Sequence, residues 1–181
     1  MKFILFDIEA TCWDGYHRNG IQEIIELGAV CVDHFGEEVD RYVSFVRPVI
    51  NPRLSRFCTD LTGITQREVD TALTFGEIYD EFEDWAQADA DTWFVSWGDF
   101  DPDILNEECQ RVFEASSMIR NYLDLQKEYA SLKNVSPRFS LAKALEYEEI
   151  EFEGSHRAMT DTVHMKIIFN RYFQFWGMTN L

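Results

Sequence analysis

The sequence is poor in positive charge. It contains 16 lysines and arginines against 33 aspartates and glutamates, which gives a formal net charge of −17 over 181 residues. Because such a surface repels polyanions at long range, the composition argues against tight non-specific binding to long nucleic acid by counterion release. A function on nucleic acid would therefore require local compensation, such as bound divalent cations or a short substrate end.

Paired cysteines and long apolar runs are also missing. The four cysteines are dispersed and form no CxxC pair, so the sequence indicates neither a zinc site nor a disulfide framework. The N-terminal KFILF run is cut by Asp7 and Glu9 before it reaches the length of a signal-peptide core. No segment approaches the roughly 20 apolar residues of a membrane span. We therefore expect a soluble, cytoplasmic protein that does not associate with membranes.

No internal repeat, low-complexity tract or linker divides the chain, so we expect a single domain over residues 1–181. Apolar residues on both pleated faces predict a central, buried strand at residues 2–8. After a polar loop at 14–20, further strands are predicted at 23–33 and 39–48, which gives three antiparallel strands in the first part of the chain.

The remainder of the chain alternates between helices and strands. Residues 49–72 are predicted to be an irregular connection with short helical turns, and 92–97 a short buried strand. Helical spacing or capping signals predict helices at 73–88, 101–113, 140–145 and 157–176, with a mixed strand and helix segment at 118–134. This order favours an α/β fold, a mixed sheet with helices on its faces.

Asp7 and Glu9 follow the buried first strand at a spacing of two, so both project from the same face. Two adjacent carboxylates are costly to bury unless a divalent cation such as Mg²⁺ or Mn²⁺ offsets their charge. The alternative is that the strand reaches the surface after Ile8 and that both acids are solvated.

Asp101 follows the predicted strand at 92–97, at a strand-to-helix junction where open α/β sheets bind ligands. Its alternative role is that of a helix N-cap, with Pro102 at the first helical position. Asp99 and Asp103 lie so close that spacing alone does not decide which acid faces inward.

The last candidate residues lie in the stretch HRAMTD. Asp161 is the first residue of an apolar stripe along the final helix and should face the core or a pocket. His156 shares that site if it lies in the loop before the helix, where an imidazole can accept a proton near neutral pH. His164, one turn beyond Asp161, remains the competing candidate.

These stretches resemble a known family. FDIEATC with EIIELGAV, then SWGDFDPDIL, then HRAMTD are similar to the three motifs of DEDD-superfamily 3′-to-5′ exonucleases, and HxxxxD is typical of the histidine subgroup, DEDDh. The segment FVRPVINPRLSRFCTDLTGITQREVDTA resembles the Eri-type, KapD-like branch. The resemblance implies a ribonuclease H-like mixed sheet, three antiparallel strands followed by parallel ones, flanked by helices.

The resemblance also implies roles for individual residues. Asp7, Glu9, Asp101 and Asp161 would bind two divalent ions, Mg²⁺ or Mn²⁺, with Asp7 between them and Glu9 also serving the catalytic water. His156 would be the general base. The expected reaction is hydrolysis of the terminal phosphodiester at the 3′ end of single-stranded RNA, which is favoured, or DNA, with release of nucleoside 5′-monophosphates.

Four residues are expected to contact the substrate. The resemblance places the 3′-terminal nucleotide at the backbone of Ala10 and Thr11, while Trp13 and Phe100 are candidates for stacking on a base. Two rival functions stay open, namely a regulatory or binding protein on an exonuclease fold, and a proofreading subunit that depends on a polymerase. The sequence does not identify a protein partner.

Overall fold

The computed structural model describes residues 1–15, 20–152 and 156–176. At its centre lies a five-stranded sheet in the order β3-β2-β1-β4-β5. The strands are β1 Lys2–Ala10, β2 Ile24–Asp33, β3 Glu38–Phe45, β4 Thr92–Ser96 and β5 Asn121–Asp124. β2 is antiparallel to β1 and β3, whereas β4 is parallel to β1 and β5. The predicted mixed sheet, antiparallel first and parallel afterwards, is confirmed.

The helices connect and cover these strands. They are α1 Arg56–Thr62, α2 Gln66–Thr71, α3 Phe75–Ala86, α4 Phe100–Phe113, α5 Leu125–Lys133, α6 Leu141–Tyr147 and α7 Ala158–Arg171, followed by a 3-10 turn at Phe173–Phe175. The short helical turns predicted within the irregular connection at 49–72 are confirmed as α1 and α2. Residues 16–19 of the predicted loop lie outside the described residues. Within the described ranges, no helix is both long enough and apolar enough to cross a bilayer.

β1 is buried on both faces, as its composition predicts. Phe3 and Leu5 belong to a cluster with residues of β4, α5 and α7. Ile4 and Phe6 point to the opposite face, into a cluster with residues of α3 and α4. Because Asp7 and Glu9 continue the first of these alternating series, they project toward the face that α7 covers.

Two predicted helix boundaries are wrong. α4 begins at Phe100 with Asp99 as the N-cap residue, so Asp101 is inside the first turn and is not the cap. A tertiary contact explains this difference. The buried Asp101 carboxylate accepts the N–H of Ile8 on β1. α7 ends at Arg171 rather than 176, because Tyr172 leaves helical geometry with φ of −119°.

α7 lies unusually close to β2. A Cβ atom on Gly28 would be 2.5 Å from the backbone nitrogen of Met159, so only glycine permits this approach. The hydroxyl of Thr162, one turn further on, lies 3.1 Å from the Gly28 carbonyl oxygen. The first turn of α7, which carries Asp161, is therefore held against β2 at Gly28, which pairs with Asp7 of β1.

Candidate active site

The carboxyl end of β1 presents two acidic side chains next to the partner strand β2. Asp7 is opposite Gly28, and Glu9 is opposite Glu26, in the antiparallel register. The register shifts between Glu9 and Ala10, at the point where pairing with β2 becomes irregular. Such irregularities redirect side chains at the ends of strands. The two acids face α7 across a narrow space because Gly28 has no side chain.

Asp101 reaches the same place from the neighbouring strand. β4 is parallel to β1, so its carboxyl end brings the first turn of α4 beside residues 7–9. The Oδ1 atom of Asp101 accepts the N–H of Ile8 at 3.1 Å, and the residue is 4% exposed. Asp99 and Asp103 are exposed. Of the three candidate acids, Asp101 is the one turned toward Asp7 and Glu9.

His156 and Asp161 complete the group from the third side. His156 lies before α7, as the spacing predicted, and donates its backbone N–H to Oδ2 of Asp161 at 2.9 Å. Its φ of 65° is in the left-handed region, a strained conformation that non-glycine residues adopt mainly where the surroundings impose it. Potential ligand atoms of Glu9, His156 and Asp161 lie within 4.8 Å of one another.

His164 has different surroundings. Its ring packs edge-on against Phe152 at a centroid distance of 6.0 Å, and its buried Nδ1 atom has no hydrogen-bond partner among the described residues. The group of potential ligands found in the described chain contains His156 and not His164. The geometry therefore favours His156 as the imidazole of this site.

One pair of residues that the sequence analysis did not single out supports the site from behind. Glu26, which is 1% exposed, accepts three hydrogen bonds from the Arg157 guanidinium, the shortest at 2.7 Å, and a fourth from the N–H of Ala158 at 2.9 Å. Arg157 follows His156 directly and also lies over the Phe45 ring. An acid inside the apolar stretch EIIELGAV was the signal that could have revealed this pair.

Burial and mutual repulsion raise the pKa values of the acidic side chains. Burial, followed by repulsion from Asp161, raises the pKa of Glu9 to about 8. Burial also raises the pKa of Asp101 to about 7, although the N–H of Ile8 opposes this shift. The pKa of Asp7 is well above its usual value because of burial and then of Asp101. Burial likewise raises the pKa of Asp161.

A divalent cation fits this arrangement. Carboxylate oxygens are the ligands that Mg²⁺ and Mn²⁺ prefer, and the raised pKa values show that the protein alone does not neutralise these carboxylates. The Arg157 guanidinium, whose charge opposes the rise in the pKa of Glu9, is itself paired with Glu26. The site therefore suits metal ions, with Asp7, Glu9, Asp101 and Asp161 as potential ligands.

The four predicted substrate contacts have distinct environments. Thr11 is buried, donates its N–H to the Glu23 carbonyl at 2.8 Å and accepts the Glu23 N–H on its hydroxyl at 3.0 Å, so these groups are engaged within the protein. Ala10 is also buried, and its carbonyl lies 3.7 Å from the sulfur of Cys58. Trp13 is partly exposed, and the Phe100 ring, at the start of α4, is 49% exposed.

Comparison with known proteins gives consistent results. The family model described as Exonuclease (RNase_T) matches residues 4–169. ERI1 exoribonuclease 2 of Danio rerio is 32% identical over 93% of this chain, which corresponds to 34% of that protein. The 3′-5′ exoribonuclease 1 of Homo sapiens is 30% identical over 94% of this chain and 52% of its own length. The chain thus spans about a third to a half of the length of these relatives.

Solved structures share the fold. The nuclease domain of 3′hExo, a DEDDh family member bound to rAMP, has a TM-score of 0.86 and 30% identity, and the match covers 96% of this chain and 92% of that one. Exonuclease I, with a TM-score of 0.79 and 16% identity over 96% of this chain and 41% of its own, shares the fold alone. The family match includes all three acidic motifs, so this chain belongs to the exonuclease (RNase_T) family, in its DEDDh subgroup.

Proposed function

We propose that this chain is a metal-dependent 3′-to-5′ exonuclease that hydrolyses the terminal phosphodiester of single-stranded nucleic acid and releases nucleoside 5′-monophosphates. The observation that carries the proposal is that Glu9, His156 and Asp161 form one group of potential ligands at the carboxyl end of β1, where Asp7 and Asp101 also lie. RNA is the favoured substrate, because the relatives are named exoribonucleases and a similar nuclease domain binds rAMP. DNA remains an alternative substrate.

The metal ligands of the proposal are the four acids. Asp7, Glu9, Asp101 and Asp161 would hold two divalent ions, Mg²⁺ or Mn²⁺, and Glu9 and Asp161 lie on the side of His156. When bound, such ions lower the pKa of water and offset the charge that develops on the phosphate. Their positive charge also provides the local attraction that a chain of net charge −17 otherwise lacks.

The protein's own groups orient the reaction. His156 accepts a proton from the attacking water on a ring nitrogen, and Asp161 fixes the His156 backbone by accepting its N–H at 2.9 Å. Glu26 fixes the next residue, Arg157, through its guanidinium group. Phe100 and Trp13 provide apolar rings for the terminal base, whose stacking is worth roughly 1 to 3 kcal/mol and tolerates any sequence.

The test is degradation of 5′-labelled single-stranded RNA and DNA of the same sequence, with Mg²⁺, Mn²⁺ or EDTA. Wild-type protein should give a ladder that shortens from the 3′ end, requires metal and is accompanied by nucleoside 5′-monophosphates on chromatography. Asp7→Asn and His156→Ala should abolish the ladder. His164→Ala is the matched control and should retain it, because the His164 ring lies outside the acidic group.

Three outcomes would redirect the assignment. Intact substrate with every metal, together with measurable binding of the strand, would favour the regulatory or binding role. Degradation that appears only after a polymerase is added would favour a proofreading subunit. A ladder that survives His156→Ala and disappears in His164→Ala would move the base one turn along α7. The ratio of kcat/KM for RNA to kcat/KM for DNA then measures the substrate preference.

A further inference from the structure

The positive charge of this acidic chain is concentrated beside the active site. Residues 47–67, hereafter the 47–67 segment, contain four arginines and one aspartate, a net charge of +3, whereas the rest of the chain carries −20. The segment includes α1 and the loop before it, and it ends at the start of α2. A local contrast of this size is the electrostatic signature of a surface that binds an anion.

The 47–67 segment is fastened to the strand that carries Asp7 and Glu9. The Ser55 hydroxyl donates to the carbonyl of Cys12 at 2.6 Å, three residues beyond Glu9. The sulfur of Cys58 lies 3.7 Å from the carbonyl of Ala10, one residue beyond Glu9. Arg53 and Arg56 lie within two residues of Ser55 in the chain, so the backbone that carries both arginines is anchored next to the carboxyl end of β1.

The loop before α1 is held rigidly. The buried Glu23 carboxylate accepts the backbone N–H groups of Val49, Ile50 and Asn51 at 2.6, 2.8 and 2.5 Å. Gln66 of α2 joins the loop to the helices, because it accepts the N–H of Leu54 at 2.9 Å and donates to the Pro52 carbonyl at 2.8 Å. A surface fixed in advance loses little conformational entropy when it binds a ligand.

The charged groups on this surface remain available. Arg53 is exposed and makes no ion pair with any residue in the described part of the chain. Arg56 contacts Asp60 at 3.3 Å, but their side chains are 94% and 68% exposed, and solvated pairs of this kind hold each other weakly. Phe57 and Leu61, four residues apart on α1, are 41% and 39% exposed and align apolar surface along the helix.

Single-stranded nucleic acid is bound by surfaces that combine arginines with exposed apolar side chains. The arginines contact the phosphates, and the apolar side chains pack against the bases. We propose that the 47–67 segment binds the substrate strand on the 5′ side of the scissile bond, with Arg53 and Arg56 on phosphates and Phe57 against a base. The inference rests on the proposed exonuclease function. It also explains how so acidic a protein retains a polyanion longer than the terminal nucleotide.

The test compares a dinucleotide with a 12-nucleotide strand of the same 3′ sequence. A dinucleotide fills the metal site and does not extend along α1, which is about 10 Å long by its rise per residue. We expect the Arg53→Ala, Arg56→Ala double variant to raise KM for the 12-nucleotide strand and to leave kcat/KM for the dinucleotide within about twofold. Lysine at both positions should restore most of the loss, since the contact is to phosphate charge.

Salt dependence gives a second readout. Each phosphate contact on a single strand contributes about 0.7 to the slope of log affinity against log salt, so the double variant should lower the slope magnitude by about 1.4. Between 50 and 200 mM salt, wild-type kcat/KM for the longer strand should therefore fall about sevenfold further than that of the variant. Arg120→Ala is the control, because Arg120 is exposed and directly precedes β5, at the opposite end of the sheet.

The outcomes separate the two proposals. Wild-type protein that cleaves neither substrate refutes the proposed function and this inference with it. Active protein whose double variant matches Arg120→Ala, or loses both substrates equally, refutes the inference and leaves the proposed function standing. Unchanged kinetics with a concentration-dependent dimer that Phe57→Ser disrupts would assign the surface to a second copy of the chain and would also overturn the inference.

Discussion

Arg157→Ala removes one partner of an ion pair whose two ends are buried to different extents. The Glu26 side chain is 1% exposed and that of Arg157 is 42% exposed. Without the guanidinium, the buried carboxylate keeps only the Ala158 N–H among its described hydrogen bonds. Breaking a buried ion pair lowers the free energy of unfolding by about 3 to 5 kcal/mol. Because water can reach Glu26 from the side that Arg157 occupied, we expect a loss of about 3 kcal/mol.

Glu26→Gln is the milder change. The neutral amide keeps the shape and can still accept the Ala158 N–H, while the half-exposed Arg157 guanidinium is hydrated, so we expect a loss of about 1 kcal/mol. The double variant contains no buried unpaired charge and should lose about 2 kcal/mol, well below the sum of the single losses. The coupling energy of the cycle is then about 2 kcal/mol.

Urea unfolding followed by far-ultraviolet circular dichroism, in EDTA, measures these free energies of unfolding. The control is the same cycle on Arg56 and Asp60, whose exposed side chains should couple negligibly. Additive losses at Glu26 and Arg157, or a larger loss for Glu26→Gln than for Arg157→Ala, would refute the reasoning. Because the pair fixes the residue next to His156, Glu26→Gln should also lower kcat more than it changes KM.

Three further predictions concern the metal site and its surroundings. Because the raised pKa values of Glu9 and Asp101 keep protons on the folded, metal-free protein, its free energy of unfolding should fall by about 1.4 kcal/mol per pH unit for each group, from about pH 5 to about pH 7 for Asp101 and to about pH 8 for Glu9. Melting temperatures measured across this pH range report the fall. Saturating Mg²⁺ or Asp7→Asn should flatten this profile, and a flat profile without metal would contradict it. Gly28→Ala should lower the free energy of unfolding by about 1 to 3 kcal/mol and reduce activity, because the added methyl group displaces α7. An unchanged melting temperature would show that the backbone relieves the 2.5 Å contact without loss of stability. Phe100→Ala should raise KM at constant kcat, whereas an equal fall in kcat would count against a stacking role.

The order of elements and the orientation of Asp7, Glu9 and Asp161 were readable from local patterns. Apolar residues on both faces of residues 2–8 required a central strand, which β1 is. A spacing of two placed Asp7 and Glu9 on one face, and the helical stripe after Asp161 turned that residue inward. These features depend on neighbours within one or two turns, which is why the sequence determined them.

Other features depended on contacts between distant parts of the chain. The spacing left Asp99, Asp101 and Asp103 equivalent, and the Ile8 N–H on a neighbouring strand distinguishes Asp101. Glu26 and Arg157 lie 131 positions apart in the sequence, and no local sequence pattern predicts a contact over that separation.

The sequence therefore determined that Asp7, Glu9 and Asp161 are candidate metal ligands and on which elements they lie. Only the tertiary structure decided how they meet, because the close approach of α7 at Gly28 and the anchoring of the 47–67 segment beside Glu9 arise from packing across the sheet. The same division applies to charge, because the composition gives a net charge of −17 for the chain, whereas the fold anchors the basic 47–67 segment beside the end of β1.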